Sequence, residues 1–305
     1  MSGGIITTGS FSKALWPGVN AWWGKAYGEW SPVWDKMFDK NTSRRAYEED
    51  VGTTGFGLAH IKPEGQPIVY DAERQSFISR YVHTVYALGF IITREAFDDD
   101  LYDVVGERNA KRLAFSMRQT KEIIAANVYN RAFNTGYTGG DGQALLSAAH
   151  PNFAGGTFSN TLATPADLSE ASLEQASIDI SLFRNDRGLL VGVKPRALII
   201  PPTLQFEAER ILQSTHRVGT DNNDINALKS MGLFRDGIVV NPYFTDLDAW
   251  FIRTDVPDGL KYFERSPDTF AQDNDFDTDN AKFKAQMRFS FGWSDPRALY
   301  GSPGA

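Results

Sequence analysis

The chain has 305 residues, of which 42% are hydrophobic and 23% charged, with a formal net charge of −7 and no cysteine. This balance is typical of a folded globular protein and excludes disordered, collagen-like and coiled-coil chains. The lack of cysteine excludes disulfides and thiolate chemistry, and the acidic balance argues against sequence-specific DNA binding, which favours basic proteins. No apolar run approaches the ~20 residues of a membrane-spanning helix, so no membrane partner is expected.

The N-terminal segment is irregular and rich in tryptophan. Five tryptophans fall within residues 16–34, among glycines and prolines and without a helical or strand period. One interpretation is an arm that buries its aromatic side chains on another surface. The alternative is a short helix, over about 19–29, packed on the chain's own core. The arm interpretation predicts inter-subunit contacts through four side chains: Trp22, Trp23, Trp30 and Trp34.

Residues 50–93 are predicted to form strands. The sequence Pro63-Glu64-Gly65-Gln66 is a turn signal between two extended runs, and this pattern predicts a β-hairpin. Few large apolar residues face one side of this hairpin. We therefore expect it to project from the body, incompletely buried by its own chain, and to contact another subunit through Lys62, Glu64 and Gln66.

A long helix is predicted next. Asp98, Asp99 and Asp100 suit a helix start, and apolar residues then recur with a period near 3.6 as far as Asn134, over about 35 residues. Further helices are expected from Ser169 or Asp167 to Phe183 and from Thr203 to Leu212. Strands are predicted at 195–201, 238–240, 249–252 and 283–291, the last with clean alternation. Together these elements predict an α+β fold with the long helix as its spine.

Charge is unevenly distributed along the chain. Residues 246–280 contain ten Asp or Glu and three Lys or Arg, whereas the long helix has a basic excess. A basic stripe can face a polyanion, and Lys111, Arg118 and Lys121 are the candidates for such a contact. The alternative is an ordinary solvated helix face, and for Arg112 and Arg131 pairing with carboxylates explains the charge at least as well.

No motif predicts catalysis, a metal or a cofactor. The glycine-rich loop at 136–142 lacks the Gly-Lys-Ser/Thr ending of a phosphate-binding loop. The alternating aspartates from Asp273 to Asp279 lack the glycine and glutamate of a calcium loop. Three classes stay open at this point: a self-assembling structural protein, a DNA-contacting packaging component, and a hydrolase whose Ser–His–Asp site is assembled by the fold.

Several stretches, taken in order, carry a family resemblance. They are residues 18–24 (GVNAWWG), 86–90 (YALGF), 93–100 (TREAFDDD), 142–151 (GQALLSAAHP), 155–160 (GGTFSN) and 194–202 (KPRALIIPP). In this order, and over nearly the whole chain, they resemble the major capsid protein of tailed bacteriophages with the Hong Kong-type capsid fold. The resemblance is closest to the phage Mu-type major head subunit family.

The resemblance implies a domain division and a function. It implies an N-terminal arm (1–49), an extended loop with a long strand (50–93), a peripheral domain with the spine helix (94–202), an axial domain (203–256) and a return to the peripheral domain (257–305). It further implies a non-enzymatic major capsid protein, without cofactor, that assembles through pentamers and hexamers into an icosahedral shell around double-stranded DNA. In such a shell, Lys111, Arg118 and Lys121 are predicted to face the DNA phosphates. Scaffolding, portal and cement proteins are the implied partners, with assembly in the host cytoplasm and a final location in the virion. An encapsulin-like nanocompartment for protein cargo is the alternative within this fold.

Overall fold

Helices and strands both contribute to the fold. A computed structural model describes residues 31–93, 102–153, 155–216, 225–274 and 280–305, together with 21, 23–28 and 95. Beside the helical residues 21 and 23–28, its α-helices are α1 (Tyr102–Asn130), α2 (Glu170–Ser181), α3 (Gln205–Gln213) and α4 (Ala227–Met231). Its strands are β1 (Asp39–Thr42), β2 (Tyr47–Thr53), β3 (Gln75–Val82), β4 (Thr84–Ile92), β5 (His150–Pro151), β6 (Thr157–Phe158), β7 (Pro195–Ile200), β8 (Ile238–Val240), β9 (Trp250–Thr254), β10 (Leu260–Asn274), β11 (Ala281–Trp293) and β12 (Leu299–Ser302). This mixture confirms the α+β prediction.

One four-stranded sheet, here called the body sheet, has the strand order β1-β10-β11-β4. β1 runs parallel to β10, and the other neighbours are antiparallel. On β11, alternate residues are buried: Phe283, Ala285, Met287 and Phe289. These side chains belong to a hydrophobic core that includes residues of α1, so the alternation predicted from the sequence reflects one face turned inward and one turned outward.

A second four-stranded sheet lies between two layers of helix. Its strand order is β12-β9-β7-β8. On β7, Leu198 and Ile200 pack in a core with residues of α2 and α3, while Ala197 and Ile199 face the core that includes α1. Because both faces are covered, this strand is apolar without alternation, and the strand predicted at 195–201 is confirmed.

The spine helix is present, and its C-terminal end comes earlier than predicted. Its described residues, Tyr102–Asn130, number 29 and span about 44 Å at the α-helical rise. The predicted start at Asp98 lies outside the described residues, and the helix ends at Asn130, before the expected stop at Asn134. α1 packs along β4 and β11 of the body sheet, as a spine requires.

The projecting hairpin differs in detail from its prediction. Its paired strands are β2 and β3, here called the stem, which form a two-stranded sheet of their own. Residues 54–74, here called the extended loop, connect these strands and have no strand of their own. At the tip, the Gln66 N–H donates to the Pro63 carbonyl (3.2 Å), and Gly65 has a φ of +77°, which glycine adopts without strain. The predicted turn is thus confirmed, whereas paired strands directly beside it were wrongly predicted.

Candidate assembly surfaces

The extended loop exposes large apolar side chains. They are Phe56, Leu58, Ile61, Ile68, Val69 and Tyr70, which are between 62% and 96% exposed. Together with Arg187 and Leu189, the two arms of the loop line a groove of about 950 Å³. A contiguous apolar patch on a projecting element marks an interaction surface. The sequence patterns did not single out these residues as contacts, although the alternation of Phe56 and Leu58 with Gly57 and Ala59 and the run at 68–70 were visible signals.

The predicted contact residues of the loop surround its tip. Lys62, Glu64 and Gln66 are all exposed beside the turn at 63–66. The structure therefore leaves these three side chains accessible to another molecule. Their role as inter-subunit contacts stays a prediction.

A group of hydrogen bonds fastens the extended loop to the body of its own chain. Arg187 Nη1 lies 3.1 Å from Asp71 Oδ2, and Arg187 Nη2 donates to the Ala72 carbonyl (2.6 Å). The Gly57 N–H also donates to Asp71 Oδ2 (2.8 Å). Backbone N–H donors, followed by Arg187, lower the pKa of Asp71. These contacts, here called the clasp, fix the base of the loop and leave its apolar side chains outside.

Trp23 is a core residue of its own chain. It is 8% exposed, and its ring stacks on Tyr27 (centroids 5.1 Å apart) and on Phe270 (5.5 Å). Residues 23–28 are helical, so for them the structure shows the alternative of a short helix packed on the chain's own core. Trp22 and Trp30 lie outside the described residues.

Trp34 is also held inside the chain. It is 7% exposed and packs on Tyr262 with ring centroids 4.4 Å apart. The carboxylate of Glu122 on α1 accepts the N–H groups of Val33 (2.8 Å) and Trp34 (3.1 Å), and burial raises the pKa of Glu122. The prediction that Trp23 and Trp34 anchor an arm on a neighbour is corrected accordingly: their apolar area is already buried by their own chain.

Two of the three basic residues predicted to face DNA keep some exposure. The side chain of Lys111 is 52% exposed and forms an ion pair with Glu107 one turn away (2.6 Å). Arg118 is half-buried, with its guanidinium 5.7 Å from the centroid of the Phe115 ring. Arg108 and Arg112, on the same helix, are exposed.

The third, Lys121, was wrongly predicted to face DNA. It is buried, with its Nζ 3.0 Å from Asp268 Oδ2. The ammonium lies 5.6–5.8 Å from the ring centroids of Trp34, Tyr262 and Phe289. A charge so enclosed by aromatic rings and neutralised by a carboxylate is not available to phosphate. Its function is to hold α1 against β10.

His150 and Asp141, which could belong to a Ser–His–Asp hydrolytic site, have a structural role instead. His150 is fully buried, with Nδ1 2.6 Å from Asp141 Oδ2 and Nε2 3.1 Å from Asn160 Oδ1. Both ring nitrogens are therefore engaged, and neither is available to Ser147, whose Oγ donates to Gln143. This geometry does not support a serine nucleophile at Ser147.

In the described ranges, no three His, Asp or Glu side chains converge in a way that could hold a metal ion. The acidic series near Asp273 continues into residues 275–279, outside the described residues. Among the described helices, none combines the length and the apolar content needed to cross a membrane.

Comparison with known proteins decides the family. Residues 78–302 match a family model described as phage capsid protein. The chain belongs to the phage capsid protein family. It is a major capsid protein of the head shell, and its place is the capsid of the virion. No protein of curated function matches the chain.

Solved capsid structures share the fold of this capsid protein. A virus-like particle from Pyrococcus furiosus is similar with a TM-score of 0.55 at 12% identity, over 94% of this chain and 98% of that chain. The procapsid of bacteriophage JBD30 is similar with a TM-score of 0.56 at 13% identity, over 97% and 76%. A structure from Mycobacterium phage Che8 gives 0.51 at 12% identity, over 89% and 90%. This likeness confirms the predicted capsid fold.

Proposed function

We propose that this capsid protein closes an icosahedral shell of pentamers and hexamers around double-stranded phage DNA, and that it acts without catalysis. The observation that carries the proposal is the apolar surface of the extended loop. A subunit that exposes Ile61 and Tyr70 almost fully gains stability when a neighbour covers them. Repetition of one such contact closes a ring of subunits, and rings of five and of six are the building units of the proposed shell.

The exposed apolar surface of the loop comes from six large side chains, each at least 62% exposed. A standard protein interface buries ~800 Å² per partner, and a cluster of this kind can form the apolar centre of such an interface. The clasp at Asp71 and Arg187 directs the loop before a neighbour arrives, which reduces the ordering entropy that association must overcome. Lys62, Glu64 and Gln66 would form the polar rim of this contact.

Contact with packaged DNA is proposed for the exposed basic residues of α1. Arg108, Lys111 and Arg112 lie within about one helical turn of one another and are exposed, and Arg118 follows on the same helix. They would contact phosphates without reading bases, because packaged DNA presents every sequence to every subunit. The exposed carboxylates of the acidic segment, at Asp246, Asp248, Asp255 and Asp258, would then face outward or into subunit contacts.

The finer assignments follow from the resemblance. We place the protein nearest to the Mu-type head subunits, with scaffolding, portal and cement proteins as partners and assembly in the host cytoplasm. The chain is also similar to a virus-like particle from Pyrococcus furiosus over nearly the whole of both chains. For this reason the experiments below also test the encapsulin-like alternative.

The test changes the loop and leaves the body intact. In the double variant Ile61→Ser/Tyr70→Ser we expect a folded, soluble subunit that fails to form closed particles in negative-stain electron microscopy and in sedimentation. Glu73→Ser is the matched control, since Glu73 is exposed on the same loop without apolar area, and it should form particles like the wild type. Normal particles from the double variant would refute the role of the loop.

The contents of the wild-type particles distinguish a phage head from an encapsulin-like nanocompartment. Nuclease-treated particles purified from infected or expressing cells are extracted and analysed for nucleic acid and for protein cargo. Protected double-stranded DNA supports the phage head, whereas an enclosed cargo protein without DNA supports the nanocompartment.

A further inference from the structure

The extended chain from Gln75 to Ile92 changes partners at one residue. β3 pairs with β2 of the stem, and β4 pairs with β11 of the body sheet. His83 is the residue between these two strands. It therefore stands where the stem, which carries the extended loop, leaves the body of the subunit.

His83 is buried and joins three parts of the chain. It is 3% exposed, with Nδ1 3.0 Å from Ser290 Oγ on β11 and Nε2 3.0 Å from Ser43 Oγ, which follows β1. Ser43 Oγ donates its proton to Glu48 Oε1 (2.7 Å) on β2, so it accepts from His83 Nε2. Nδ1 then carries the lone pair of a neutral ring and accepts from the Ser290 hydroxyl. A second ring proton, on Nδ1, would require the Ser290 hydroxyl to rotate, so that its oxygen accepts from the ring and its own proton loses the ring as acceptor.

The charges around His83 oppose its protonation. Burial lowers the pKa of His83 below the ordinary value of 6.5, and Arg288 on β11 and Arg265 on β10 act in the same direction. Glu48 on β2 acts in the opposite direction with a smaller effect than Arg288. Arg288 is also a direct neighbour, since its Nε donates to the His83 carbonyl (3.2 Å).

Much of the remaining junction between stem and body is polar. Lys261 Nζ lies 2.5 Å from Asp50 Oδ2, and the hydroxyls of Tyr81 and Ser294 lie 2.5 Å apart. A cavity of about 340 Å³, lined by residues of the stem and the body, separates the two parts beside these contacts. Movement of the stem would replace these polar contacts by contacts with water. It would also disturb the apolar contact between Tyr81 and Phe263, whose ring centroids are 4.9 Å apart.

We propose that His83 is a proton-sensitive hinge: the neutral ring locks the stem to the body sheet, and protonation releases the stem so that the extended loop changes direction. The released form binds one more proton than the locked form. The lock is therefore fully effective above pH about 6.5 and weakens as the pH falls toward the lower pKa of the locked ring. Over that range, each pH unit shifts the equilibrium toward release by up to about tenfold.

The test follows the direction of the loop in the isolated full-length subunit. Because the chain has no cysteine, the pair Glu64→Cys and Glu209→Cys places one dye at the loop tip and one on α3. Single-molecule energy transfer, at concentrations too low for assembly, is recorded from pH 7.5 to 5.0. We expect one distance population at pH 7.5 and a second one that grows in with a midpoint below 6.5.

Matched variants assign the response to His83. His83→Gln keeps a donor and an acceptor without titrating and should retain the pH 7.5 distribution at every pH, whereas His60→Gln, on the exposed loop, should respond like the wild type. The pKa of the His83 imidazole, measured by NMR on the wild type, should coincide with the midpoint of the energy-transfer change even if His83→Gln folds poorly. A response that persists in His83→Gln, a wild-type distribution unchanged down to pH 5.0, or two separate midpoints would overturn the hinge. The test does not depend on shell closure, so it stands apart from the proposed function.

Discussion

Replacement of Lys121 by alanine tests whether this residue is a core residue or a DNA contact. In the structure its ammonium is 3.0 Å from Asp268 Oδ2, and the two side chains are 7% and 14% exposed. Tyr27 also donates to Asp268 Oδ2 (2.5 Å). Removal of Lys121 leaves the Asp268 carboxylate buried without its cation, and breaking a buried pair in this way costs about 3–5 kcal/mol of unfolding free energy.

The matched control is Lys111→Ala on the same helix. Its ion pair with Glu107 is exposed and joins residues one helical turn apart on α1, so its loss should cost about 0.3–0.5 kcal/mol. Urea unfolding of the isolated subunit, followed by tryptophan fluorescence, measures both values. The double variant Lys121→Met/Asp268→Leu removes both charges together and should recover most of the stability lost in Lys121→Ala.

The outcome separates the two roles of Lys121. If Lys121→Ala is no less stable than Lys111→Ala, and particles made from it lose DNA at raised salt, then Lys121 faces phosphate and the buried-pair argument is wrong. If stability falls by several kcal/mol and the double variant recovers it, the residue is structural.

Patterns of near neighbours predicted the local elements well. The alternation on β11, the apolar run of β7 and the turn at 63–66 each depend on residues within a few positions of one another. The side chain of Ser169 accepts the N–H of Ser172, so the cap of α2 was also readable from the sequence. In each case the geometry is set locally and tertiary packing agrees with it.

Residues whose partners are distant in sequence could not be placed in this way. Lys121 is 147 positions from Asp268, and a lysine on a helix with mixed neighbours normally indicates a solvated face. Trp34 is fixed by Glu122, 88 positions away. The same limitation applies to His83, whose partners Ser43 and Ser290 come from two other segments. Without the topology, His83 was one of four isolated histidines.

The extended loop shows a different limitation. Its arms have the composition of strands, yet a strand needs a partner for its backbone groups, and within this subunit β2 and β3 pair before the arms begin. Whether such a segment is a strand therefore depends on what lies beside it in the assembled particle. The sequence pattern indicates that the arms tend to form strands. Within the described part of the subunit, the arms have no partner strand.

Two further substitutions test contacts that position the extended loop and the sheets. Asn160 is buried, and its side chain donates to the carbonyls of Leu145, Pro296 and Leu299, so Asn160→Ala should lower the unfolding free energy by about 3 kcal/mol in urea titrations. In Gly140→Ala, the new Cβ would lie 2.4 Å from the carbonyl oxygen of Ile78 in the stem, too close for two unbonded atoms. The stem must shift, at a cost of about 1–3 kcal/mol, and the amides of β2 and β3 should exchange with deuterium faster than in the wild type. Gly24→Ala is the control, because nothing lies within 4 Å of its new Cβ, and it should leave that exchange unchanged. Equal exchange rates for the stem in the two alanine variants would show that Gly140 does not hold the stem against the body.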